Sequence, residues 1–165
     1  MNTLPVKTIY DAIITMLVEA YDGPPNEKET WFIDNEPDSG ILGILAKLSA
    51  AEASKSVDGS GAPGSTIASN AEHLRWAMAN DNASLRGEPL KTNWSESWAL
   101  NAADEAGWER LRADLRKEYE TLRGLLQQQQ ELPPQYMTGL AAIVAHSAFH
   151  LGLIRQMAER VLKAP

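Results

Sequence analysis

Residues 135–162, QYMTGLAAIVAHSAFHLGLIRQMAERVL, decide the fold. Apolar and small residues recur there at three- and four-residue steps, so the stretch reads as one long helix. Pro133 and Pro134 restart the chain just ahead of it, and proline suits a first helical turn because its missing N–H has no partner there anyway. Ile143, Phe149, Leu153, Ile154 and Met157 share the side that carries His146 and His150, so that side is expected to face inward.

Working outward, three further segments have helical periodicity and almost nothing reads as a strand. Residues 6–20 place Val6, Ile9, Ile13, Met16 and Leu17 on one face, ending before Asp22-Gly23-Pro24-Pro25. A long connection follows, with a short helical piece at 39–48 begun by Asp38 or Ser39, then a flexible tract from Val57 to Gly64. The second main helix is expected from a Ser65 cap to Ser84, stopped by Arg86-Gly87-Glu88-Pro89. A linker containing Trp94 and Trp98 leads to a third helix over 102–130, capped by Asn101. Its apolar face is Trp108, Leu111, Leu115, Tyr119, Leu122 and Leu126. The opposite face is charged, pairing Glu109 with Arg112 and Glu120 with Arg123. The expected fold class is all-α: a four-helix bundle with a long first crossover connection, in a single domain over 1–165.

Composition narrows the function. The 165 residues carry a net charge of −7, with acidic residues diluting the basic ones, which disfavours nucleic acid and anionic membrane surfaces as partners. No uninterrupted apolar run approaches the ~20 residues of a membrane span, and the first residues lack the pattern of a secretory leader. With no cysteine, disulfides and thiolate ligands are excluded, and a cytoplasmic location is the default expectation.

The chain has three histidines. His146 and His150 lie one helical turn apart in H-x-x-x-H, and His73 lies on a separate expected helix in Ala71-Glu72-His73-Leu74-Arg75-Trp76. Inward histidines can be core residues held by hydrogen bonds. Two of them one turn apart would repel if protonated, whereas neutral imidazoles can share a cation. Spacing alone leaves both readings open.

The segment His146-Ser-Ala-Phe-His150-Leu-Gly-Leu-Ile-Arg155-Gln156 resembles the last-helix signature of the DinB/YfiT-like superfamily, and Ala71 to Trp76 resembles its second-helix histidine motif. Leu85-Arg86-Gly87-Glu88, the Trp94–Trp98 segment and Gly40-Ile-Leu-Gly-Ile-Leu ahead of Leu48-Ser-Ala-Ala-Glu52 resemble one bacterial subgroup, so the likeness spans about Trp31 to Met157. The resemblance implies a four-helix bundle, a divalent metal ion (nickel or zinc) on His73, His146 and His150, and a homodimer. Histidine-only ligation also suits nickel or zinc better than magnesium or calcium.

Several members of that superfamily are thiol-dependent. The resemblance therefore implies a metalloenzyme that activates a low-molecular-weight thiol as co-substrate and transfers it to a small-molecule electrophile. Metal-assisted hydrolysis and a non-catalytic metal-binding or interaction bundle are the alternatives. Unlike H-E-x-x-H proteases, the residue after the first histidine is Ser147, so the helix supplies no built-in base and Glu72 is the nearest carboxylate to a ligand in sequence. Trp76 reads as core, Trp94 and Trp98 as loop anchors with a lid as alternative, Arg155 as facing away, and Gly152 as a site of close helix packing.

Overall fold

The computed structural model describes residues 4–26, 28, 30, 31, 36 and 38–163. Met1 to Thr3, the start of the segment read as lacking a leader, lie outside them, as do seven residues of the first connection. Among the described residues the elements are α1 (Val6–Tyr21), α2 (Ile41–Ala46), α3 (Ala50–Ala53), α4 (Ile67–Leu85), a 3₁₀ helix (Trp94–Trp98), α5 (Glu105–Gln128) and α6 (Pro134–Lys163), with no strand. The all-α expectation holds. The four long helices, α1, α4, α5 and α6, form a bundle in which α4 packs on α5 and α6, and α1 packs on the same two.

The apolar stripe of α5 is buried as its spacing requires: Trp108, Leu111, Leu115, Tyr119, Leu122 and Leu126 all join the core. Trp108 is fully enclosed and donates its indole N–H to the Leu48 carbonyl, 2.9 Å away. That bond ties the first connection to the bundle. Glu19 of α1 is also fully buried, and its carboxylate accepts from the Trp31 backbone N–H and the Thr30 hydroxyl.

Helix starts differ from the sequence reading for identifiable reasons. Thr66, not Ser65, caps α4 by accepting from Ser69 N–H, and Asp104, not Asn101, caps α5 by accepting from Gly107 N–H. Asn101 is committed elsewhere, its amide donating to Gly61 and its carbonyl accepting from Thr66. The expected helical piece at 39–48 is a single turn and a half from Ile41, capped at Gly40 instead of Asp38 or Ser39. A Cβ at Gly40 would come within 2.6 Å of the Tyr21 carbonyl oxygen, so only glycine lets α2 start this close to the end of α1. Glu109 pairs with Arg112 as expected, but Arg123 reaches Asp22 instead of Glu120, which lies by Arg116.

Helix α6 corrects two expectations. Phe149 is 65% exposed, because one residue step is about 100° of turn and carries it away from the face on which His150 is buried. Gly152 is exposed with open space around its Cα, so it makes no close helix contact within the chain. This helix is also long and apolar enough to cross a membrane by length and composition, with a mean hydropathy of 1.5 over its most apolar stretch. Uninterrupted apolar runs had not revealed that, because Thr138, Gly139, His146, Ser147, His150 and Gly152 are scattered through it.

Candidate metal centre

Helices α4 and α6 bring His73, His146 and His150 together, although 73 residues separate the first two. One nitrogen from each ring lies within 4.8 Å of the others, and His73 Nε2 and His146 Nε2 are 3.0 Å apart. Bonds of 2.0–2.1 Å to a tetrahedral zinc place ligand nitrogens about 3.3 Å apart. The closest pair is already near that spacing.

The hydrogen-bond partners fix which nitrogens carry lone pairs. Ser97 Oγ is 2.7 Å from His73 Nδ1 and 2.7 Å from the Trp94 carbonyl oxygen. A hydroxyl has one hydrogen, and the carbonyl can only accept it. Ser97 therefore accepts from His73 Nδ1–H, which leaves the lone pair of neutral His73 on Nε2. His150 follows the same logic. Asn70 donates both amide hydrogens to the Gly64 and Thr66 carbonyls, at 2.9 and 2.8 Å, so its Oδ1, 3.0 Å from His150 Nδ1, must accept. His150 Nε2 thus carries a lone pair as well. Without a metal ion, His146 satisfies the 3.0 Å contact by donating its Nε2–H to His73 Nε2.

Burial keeps the rings neutral. Desolvation, reinforced by His146, lowers the pKa of His73 from its ordinary value to about 4. Desolvation, with His146 and His73 adding to it, lowers that of His150 to about 3. His146 is lowered by desolvation too. Neutral imidazole is the form that coordinates metal.

The aromatic linker is part of the site. Trp98 stacks on the His73 ring with centroids 3.8 Å apart and planes 12° from parallel, so it fixes the imidazole as well as the loop. Trp94 is half-exposed and lines a cleft of about 500 Å³ with His73, Ala77, Asp81, Gly139, Ala142, Ile143 and His146. Trp76, buried as expected, packs behind Trp94. The tract read as flexible also serves the site: Gly64 supplies a carbonyl to Asn70, and a Cβ there would sit 3.3 Å from the Trp98 ring.

Glu72 does not line the cleft; it pairs with Arg75, at 2.6 Å. Arg155 is outside the cleft and engaged in another interaction. The sequence reading did not single out Asn70, Ser97 or Asp81. Asn70 was within reach of it, since it precedes His73 by three residues and so shares a helix face. Ser97 was not, because its place depends on how the linker folds back. Comparison with known proteins finds no matching family model, no matching curated protein and no matching solved structure.

Proposed function

We propose that this is a DinB/YfiT-type metalloprotein that holds zinc or nickel on His73, His146 and His150 and acts on a small molecule in the adjoining cleft. One observation carries the reading: the Nδ1 hydrogens of His73 and His150 are committed to Ser97 and Asn70, which puts the lone pair of each neutral ring on Nε2, where a metal ion would take it. Such partners orient ligands and raise their basicity in metal sites.

A divalent ion held by three neutral imidazoles keeps its full charge and would favour the thiolate form of a small thiol. The chain has no cysteine, so a thiol-transfer reaction would take its thiol from a second molecule. The residues' own tasks are then distinct. Asn70 and Ser97 orient imidazoles, Trp98 braces His73, and Trp94 walls the cleft. Ala77, Gly139 and Ala142 keep the cleft open by being small.

A second copy of the chain fits the outer face of α6, where exposed Phe149 stands among Ala141, Ala145 and Gly152. The proposed location is the cytoplasm.

The test is thiol consumption with a small electrophile, comparing zinc- or nickel-loaded protein with His73→Ala. Activity lost in the variant supports the transferase reading. A rate no greater than that of free metal excludes it and leaves hydrolysis or a non-catalytic metal site.

A further inference from the structure

Asp81 lies two turns beyond His73 on the same face of α4, about 12 Å along the axis. It lines the same cleft as His73 and His146. It also lines a smaller hollow of about 60 Å³ with Tyr10, Ser84, Leu85, Tyr136 and Leu140, and Gly139 and Ile143 border both spaces. Neither lining contains a lysine or an arginine. Among the described residues, no ion pair or hydrogen bond to the Asp81 carboxyl is formed.

Asp81 is partly buried, and a carboxylate held in a cleft without a partner has a cation as its natural complement. The two tyrosines bordering the hollow suit an ammonium group, which aromatic faces attract. Desolvation raises the pKa of Asp81 to about 6, so it is mostly ionised at neutral pH and retains a charge that a ligand can neutralise.

We propose that Asp81 is a substrate-recognition residue, its carboxylate receiving the protonated amine of an elongated small molecule whose other end lies against His73 and His146. The ligand class is a primary or secondary amine carrying its reactive group several bonds away. This deepens the reading of the same cleft and rests on it for the far end of the ligand only.

The test is titration of the full chain, metal-free and zinc-treated, with n-hexylammonium, n-hexanol and hexanoate, followed by tryptophan fluorescence and by amide NMR shifts along α4 and α6. Hexylammonium should bind about ten-fold more tightly than hexanol, the scale of one charge-assisted hydrogen bond, with hexanoate weakest. Asp81→Asn should abolish that preference while keeping its fold, since it removes a partly buried charge that has no partner. Glu72→Gln, outside the cleft, should keep the preference. Equal binding of amine and alcohol by the wild-type chain, or a preference that survives in Asp81→Asn, overturns the proposal. Failure of zinc to bind counts against the metal reading alone, because the metal-free arm still reports on Asp81.

Discussion

Asn70 determines which nitrogen of His150 carries hydrogen: its Oδ1 sits 3.0 Å from His150 Nδ1, while its amide hydrogens are held by two backbone carbonyls. The relationship joins a helix start to a candidate ligand. Gly64 and Thr66, which take those hydrogens, stand at the beginning of α4, so folding there orients a ring on α6.

Asn70→Ala should therefore weaken metal binding by roughly 10- to 100-fold, the usual cost of losing a group that orients a ligand. It also leaves the part-buried Gly64 carbonyl without its donor, while the Thr66 carbonyl keeps the Asn70 backbone N–H, a stability loss of about 1 kcal/mol. Ser97→Ala should weaken binding with a smaller stability cost. Competition titration with a chelator and denaturant unfolding separate the two effects.

The metal-free protein should lose stability as pH falls from about 6.5 toward 4. Unfolding returns three histidines from lowered pKa values, about 4 for His73 and about 3 for His150, to the ordinary value, so the unfolded chain binds more protons across that window. Asp81 acts in the opposite sense, because its pKa is raised to about 6: it favours the folded state at low pH and loses that contribution as pH rises through 6. Three lowered groups outweigh one raised group. In Asp81→Asn the offset disappears, and melting temperature measured between pH 6.5 and 4.5 should fall more steeply than in the wild type.

Gly139 borders the cleft, and a Cβ there would meet nothing within 4 Å. Gly139→Ala should stabilise α6 by about 0.5–1 kcal/mol, the helix-propensity difference. Gly139→Leu should fold equally well yet fill the cleft, reducing small-molecule binding while metal content is unchanged. Thermal melts and metal analysis on both variants check this.

Gly64 adopts φ +83° and faces Trp98. Gly64→Ala should cost about 1–2 kcal/mol for the left-handed backbone. It should also displace the ring that braces His73, visible as a change in tryptophan emission and in metal affinity.

Phe149→Glu places a charge on the outer face of α6, where the exposed Phe149 ring meets the edge of His150 with centroids 5.1 Å apart. If a second copy packs there, sedimentation should report dimer for the wild type and monomer for the variant. Equal masses would leave this face outside any dimer contact.

Much of this architecture was readable from periodicity. The α5 stripe from Trp108 to Leu126 is a repeat that only an inward face explains, and all six residues are buried. The three histidines were readable because the chain has so few and two are one turn apart. Helix caps were harder: Thr66 and Ser65 are both capable, and the choice depends on Asn101 reaching across the loop. Phe149 is apolar without facing inward, because its angular position on α6 points to the outer face. Asp81 is not legible in the sequence, because an isolated aspartate on a helix reads as solvated until the opposing helix is in place. Ser97 is the extreme case, since its partner His73 lies 24 residues away on an element that the linker must fold back to meet.

The most direct test of the central claim is elemental analysis of protein purified without an affinity tag or chelator, beside His146→Ala. Close to one zinc or nickel per chain is expected in the wild type, with loss of that metal in the variant. No metal in either after incubation with both ions, or equal metal in both, would contradict it and return the three histidines to the role of a hydrogen-bonded core cluster.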